Sequence, residues 1–318
     1  LNVCFAKVLG KAERENVTDV AVQENMLDSL VKFATELDGL PMNVLIAKEV
    51  VTKLLNLKKL IQRRAKMITI TTGEITLSPT QINMFMRCQY QWYLRYVEGL
   101  KIPPKPDMVV GSSFHKAMER NFQNKMETQE DLPVDEVLDV YSETFEERLE
   151  EVEDKPEDKI LGELKDSGYK ITKEYRENKA PEIQPLEVET YIEAHIGEGV
   201  KLHGYADIIT TDLKVIDLKT VKRKPQNNQI DYGYQLQLET YAIHNDLKGA
   251  EIHYAIQTKN PQILVLSHPL PATNQRIKTI AKQVAEAIRS GNFLPNGLGH
   301  SWACNYCGYK EKGLCPYS

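Results

Sequence analysis

The stretch VIDLKTVKRK, residues 215–224, sets Asp217 and Lys219 two apart inside an apolar run. Alternate residues of a strand point to opposite faces, so this pair shares one face. A second acid, Asp207, lies upstream in VKLHGYADII. If the two strands are neighbours joined by a turn near Thr211 and Asp212, their carboxylates come close on that face. Such an oxygen-rich pair suits Mg2+ or Mn2+, which take carboxylate, carbonyl and water ligands, and the backbone carbonyl of Leu218 could add one more. An ammonium at Lys219 beside such an ion would orient a hydroxide and offset charge developing on a phosphorane-like transition state. The chemistry implied is metal-assisted hydrolysis of a phosphodiester. Taken alone, the pair also fits the open face of an edge strand, where such alternation is common.

The elements that must position these residues follow from hydrophobic period. In PLEVETYI, Leu186, Val188, Thr190 and Ile192 face one way, and Glu187, Glu189 and Tyr191 the other. In VKLHGYADII, Val200, Leu202, Gly204, Ala206 and Ile208 alternate with Lys201, His203, Tyr205 and Asp207. A helix is expected over 231–247, strands at 252–257 and 263–267, and a last helix over 274–289 that stops at Gly291. Upstream, a short strand is expected at 68–72. Ser78, Pro79 and Gln81 then form a capping-box start for a helix that carries Cys88. After the prolines Pro103, Pro104 and Pro106, a helix beginning near Val110 holds His115 and Glu119. The order implies an α/β fold, a central mixed β-sheet flanked by helices. To it are added a helical N-terminal region over 1–66, a helical insertion at about 120–180, and a cysteine-bearing end over 300–318. Residues 1–66 carry no motif, and their role is left open between a docking region for a protein partner and a fusion, with 67–318 as the catalytic domain.

The net charge of −5 across 318 residues offers no global attraction to a polyanion, so any such partner must meet a local patch. No apolar run approaches the ~20 residues of a membrane span, and no secretory signal is visible, so the chain is expected to be soluble and cytoplasmic. Five cysteines without such a signal point to thiols or metal ligands rather than a disulfide framework. Cys304, Cys307 and Cys315 form C-x2-C-x7-C, and Cys88 is placed to be a fourth thiolate, with Cys4 left outside. Four soft ligands select zinc or an iron–sulfur cluster, and spacing does not separate the two.

GYADIITTDLKVIDLKT resembles the G-x-x-D, spacer, D-x-K core of the PD-(D/E)XK nuclease superfamily in its RecB-like branch. His115 in GSSFHKAMER matches that branch's histidine on an upstream helix, and Gln237 and Tyr241 in QLQLETYA match its glutamine–tyrosine motif. The resemblance covers 75–318 in outline; Asp217 stands where glutamate is more common in the superfamily. It implies a restriction-endonuclease-like core, with His115, Asp207 and Asp217 as metal ligands and Lys219 as the catalytic lysine. Gln237, with Gln235 as the fallback, would orient DNA or the lysine. Glu119 is read as a hydrogen-bonding partner of His115, and Glu189 as a solvated acid rather than a third carboxylate ligand. Similarity to the AddB-type and CRISPR-adaptation nucleases implies a [4Fe-4S] cluster on Cys88, Cys304, Cys307 and Cys315. The substrate implied is DNA, single-stranded or with free ends, in a bacterial, archaeal or phage setting. Lys222, Arg223 and Lys224 are read either as phosphate contacts or as a solvated loop. Trp92, Tyr93 and Tyr96 are read as a packed helix face before a stacking surface. The competing function is an inactive DNA-binding or assembly module on the same fold.

Overall fold

The computed structural model describes residues 73–243, 247–270, 274–296 and 302–317. The expected helical region over 1–66, its possible docking role and the strand at 68–72 lie outside the described residues. In chain order the elements are β1 (Ile75–Leu77), α1 (Pro79–Arg87), α2 (Gln89–Tyr96), α3 (Pro106–Thr128), α4 (Val134–Leu149) and α5 (Asp158–Asn178). Then follow β2 (Pro185–Gly197), β3 (Val200–Thr210), β4 (Lys214–Val221), α6 (Tyr232–Tyr241), β5 (Gly249–Ile256) and β6 (Gln262–His268). The chain closes with α7 (Gln275–Arg289), α8 (Trp302–Asn305) and α9 (Gly308–Glu311).

Local signals set several of these elements. The Ser78 side chain accepts the Gln81 N–H, with Pro79 in the first turn of α1. That helix does not run through Cys88 as expected. Cys88 is extended (φ −163, ψ 110), closing α1 and capping α2, so its sulfur leaves the helical array at a corner. The helix α3 starts at Pro106, a full turn before the expected position near Val110, because proline is well suited to a first turn. At the other end of the core, α6 stops at Tyr241, short of 247. The last long helix, α7, ends as expected, with Gly291 at φ 69 just beyond it.

The six strands make one mixed sheet. The pairs β1 with β3 and β4 with β5 are parallel, and the others antiparallel. One edge of β3 is occupied by β2 along most of its length. Its other edge is divided: β1 pairs with Val200–Leu202, and β4 pairs only at Ile208 and Ile209. Between those pairings the sheet forks, and Asp207 stands at the mouth of the fork.

Helices cover both faces. The first layer, α3 to α5, packs Phe114, Phe122, Tyr141, Phe145, Ile171 and Tyr175 on Ile208, Ile216 and Leu218. The expected insertion is therefore much of one core layer. On the second face α1, α6 and α7 bury Ile82, Leu236, Leu238, Ile277 and Ile288 against Leu202, Ala206, Ile209 and Val215. The alternation expected for β2 and β3 holds only in part. Val188 and Ile208 pack with the first layer, whereas Ile192 and Ala206 pack with the second. The change falls at Glu189 and Asp207, flanked by the register pairs Val188 with Ile208 and Thr190 with Ala206. Glu189 has φ 51, a left-handed conformation that costs a non-glycine residue energy, and this turns the hairpin so that its inner side changes.

Candidate active site

The site is built where the sheet forks. Since β4 no longer pairs with β3 beyond Ile208, the Leu218 N–H donates instead to Asp207 Oδ2 at 2.6 Å, so the side chain itself bridges the strands. From α3, His115 Nδ1 lies 3.5 Å from the same oxygen. The helix comes close to the sheet because Gly111 has no side chain: a Cβ there would stand 3.0 Å from Thr220 Oγ1. Glu189 completes a trio with His115 and Asp207 whose ligand atoms all lie within 4.8 Å of one another. The residue set aside as a solvated acid is thus half-buried within the site, and its left-handed backbone turns it there.

On β4, Asp217 is fully buried, and Lys219 Nζ lies 2.5 Å from its Oδ2. The D-x-K spacing therefore does place the two side chains together. Among the described residues Asp217 belongs to no trio of the kind His115 forms, and its carboxylate is held by Lys219 and by α6. From α6, Gln237 Nε2 donates to Asp217 Oδ1 at 2.8 Å and to the Tyr241 hydroxyl at 2.6 Å. Gln235 instead donates to the Ile230 carbonyl and accepts from Arg276, so Gln237 is the glutamine at the site. The glycine of the G-x-x-D pattern has a visible purpose here. A Cβ on Gly204 would stand 2.9 Å from Tyr241 Cε1, so its absence admits the ring that seats Gln237. The Lys219 ammonium also lies 5.1 Å from the centre of the Tyr234 ring, a cation–π contact that restrains it.

The charges are mutually perturbed. Burial works against ionisation of Asp207, but His115, Lys219 and the Leu218 N–H outweigh it and hold its carboxyl below the usual range. Burial followed by the Asp207 charge pushes Asp217 up to about 6, although Lys219 opposes this. Glu189 rises to about 7 for the same two reasons, burial first and Asp207 second. Burial would lower His115 and Lys219, yet the neighbouring carboxylates more than compensate and raise both. The site therefore holds more acid than its own cations neutralise. Asp217 Oδ2 is buried without an aligned hydrogen bond despite its close ammonium, and the donors are carboxylate oxygens and one imidazole. That donor set fits a hard divalent ion.

One expectation around the site changes. Glu119 does not hold His115; it accepts from Lys116 at 2.8 Å and Gln123 at 3.1 Å. Lys222 is exposed but pairs with Asp107 at 2.7 Å, while Arg223 and Lys224 are exposed on the loop after β4. Trp92 is buried, stacked on Phe293 and edge-on to Phe85, and Tyr93 and Tyr96 pack beside it, in keeping with a packed helix face.

At the far end, Cys88, Cys304, Cys307 and Cys315 line one pocket as unlinked thiols. Backbone N–H groups of Gln91 and Asn296 each reach Cys88 Sγ at 3.4 Å. The Asn296 amide donates to the Arg87 carbonyl, and Tyr90 N–H to the Leu294 carbonyl, which stitches this tail to the corner at Cys88. No three of the four sulfurs lie within 4.8 Å of one another.

A forked mixed sheet with acids, a lysine and a histidine converging at the fork is the architecture of a nuclease. The chain belongs to the PD-(D/E)XK nuclease superfamily, whose sequence model matches residues 76–316. Among solved structures it is similar to a protein from Eubacterium rectale that carries the provisional name of exonuclease. That match has 12% identity and a TM-score of 0.47, covering 77% of this chain and 90% of that one. It is also similar to SSO0001, at 16% identity and a TM-score of 0.38, over 81% of this chain and 95% of that one. No curated protein matches it significantly. Members of this superfamily act on nucleic acid and generally use Mg2+ or Mn2+. Among the described residues no helix is long and apolar enough to cross a membrane.

Proposed function

We propose that this chain is a Mg2+- or Mn2+-dependent deoxyribonuclease that degrades DNA from free ends, in recombination, repair, phage replication or CRISPR-like DNA processing. The observation that carries the reading is the convergence of His115, Glu189, Asp207, Asp217 and Lys219 at one fork in the sheet. Asp207, His115 and Asp217 would hold the ion, with Glu189 and the Leu218 carbonyl as further oxygen ligands. When bound, it supplies Lewis acidity to a phosphate oxygen and lowers the pKa of a coordinated water. The chain's own groups do the rest. Lys219 keeps its proton beside two carboxylates, so it presents a fixed positive charge to the phosphate as negative charge develops there. Gln237 prevents Asp217 from rotating and is itself held by Tyr241. Asp207 holds the two strands at their separation through the Leu218 N–H.

The four thiols would bind a [4Fe-4S] cluster that ties the end of the chain to the corner between α1 and α2. Support comes from their shared pocket and from the N–H groups at Cys88 Sγ. The site would be structural, because hydrolysis transfers no electrons.

Labelled linear DNA with free or blocked ends, incubated with wild type and Asp217→Ala in Mn2+ or in EDTA, tests the reading. Wild type is expected to degrade free-ended DNA only with metal, and Asp217→Ala not at all. Metal-independent cleavage, or equal cleavage by the variant, would overturn it.

A further inference from the structure

We propose that Tyr191 and Tyr205 form a platform on which an unpaired base stacks, steering a single strand into the fork at Asp207. The proposal rests on the nuclease reading above and names the form in which substrate meets that site. The two tyrosines are 47% and 56% exposed, although they sit within paired strands. They lie directly opposite one another, with ring centres 5.2 Å apart at 55°. The His203 ring extends the patch, 5.9 Å from Tyr191.

Their position argues for an occupant. Tyr191 is two residues from Glu189, and Tyr205 two from Asp207, so the platform begins ~7 Å from the site along the strands. The same strands bury Ile192 and Gly204 on the reverse side, under α6 and α1. Among the described residues nothing buries the tyrosine side at the rings, which stay about half exposed. The nearest acid beyond them, Glu193, is already engaged by the Tyr191 hydroxyl at 2.7 Å and by Lys201 at 3.4 Å. Every base offers a π-face, but a duplex buries those faces in its own stack, so aromatic rings of this kind select unpaired nucleotides. Cross-strand aromatic pairs also stabilise hairpins. The test must therefore separate stacking on a base from packing within the hairpin.

Fluorescence anisotropy of a labelled thymidine oligonucleotide, with the Asp217→Ala chain in Mg2+ to prevent cleavage, provides that separation. Into this background go Tyr191→Leu and Tyr205→Leu, which keep an apolar cross-strand contact but lose the ring, and Tyr191→Phe and Tyr205→Phe, which keep it. Each leucine variant is expected to bind on the order of tenfold more weakly, and each phenylalanine variant nearly as well as the parent. A blunt duplex of the same length should be affected much less. Thermal melts check folding, and Tyr205→Trp, expected to bind at least as tightly as the parent, serves if a leucine variant does not fold. Folded leucine variants with parental affinity, a duplex weakened equally, or weakened binding by the tryptophan variant would overturn the platform. In the first case intact binding by the parent leaves the nuclease reading standing. If the parent binds the duplex but not the oligonucleotide, the platform fails while the nuclease reading stands; if it binds neither, both fail.

Discussion

Replacing Gly204 by alanine should disable this protein through a residue that touches neither metal nor substrate. The new methyl would stand 2.9 Å from Tyr241 Cε1, with Pro79 Cδ 3.8 Å away on another side. Carbon atoms settle at about 3.5–4.0 Å, so the ring would have to retreat by ~0.6–1 Å. Tyr241 is 2% exposed and packed in the layer under α6, which leaves little room for that. Overpacking of this size costs ~1–3 kcal/mol, and replacing a glycine inside a strand returns ~0.5–1 kcal/mol, for a net loss of ~0.5–2 kcal/mol. The displaced hydroxyl would also leave Gln237, whose amide then holds Asp217 less firmly. Urea unfolding of wild type, Gly204→Ala, Tyr241→Leu and the double variant measures the coupling directly. Tyr241→Leu is destabilising alone, because it removes a buried ring, but it opens the space the methyl needs. The alanine should then stabilise the double variant by the ~0.5–1 kcal/mol that replacing a strand glycine returns, which gives a coupling of ~1–3 kcal/mol. Additivity within ~0.3–0.5 kcal/mol would refute the steric account. So would a Gly204→Ala protein as stable as wild type.

Glu189 gives a pH signature in the metal-free protein. A carboxyl raised on folding from its ordinary value to about 7 binds its proton more tightly in the native state, so stability falls as pH rises from ~4.5 through 7. Glu189→Gln removes that penalty. Thermal melts in EDTA should show the variant stabler by ~1–2 kcal/mol at pH 8, after allowance for solvent screening, and no stabler at pH 4. Saturating Mg2+ should erase the wild type's disadvantage, since the ion neutralises the crowded acids. At the other end of the chain, Cys307→Ser should abolish absorbance near 400 nm and the bound iron and sulfide, with a lower melting temperature. Retention of one zinc by the wild type, without such absorbance, would count against a cluster.

Much of this site was legible along the chain because it depends on short-range geometry. Asp217 and Lys219 meet because strands repeat every two residues, and Ser78 caps α1 because its hydroxyl reaches an N–H three residues on. The turn after β3 likewise forms locally, closed by the Leu213 N–H on the Thr210 carbonyl. Glu189 was misjudged for a physical reason: period two assumes an unbroken strand, and its left-handed φ breaks that assumption. Cys88 was placed inside a helix because nothing in its neighbours marks a corner. Its extended backbone goes with the docking of Leu294 and Asn296, which lie some two hundred residues away.

The sequence by itself determined which chemistry was on offer: two acids, a lysine, a histidine and a glutamine in the order of one nuclease superfamily, on strands and helices whose periods are local. Only the tertiary structure decided that β3 would part from β4 at Asp207, that Gly204 would admit Tyr241, and that Glu189 would join His115. Those outcomes depend on which layer of helices each stretch of strand packs against. Packing of that kind is a competition between distant surfaces, and no window of neighbouring residues contains both competitors.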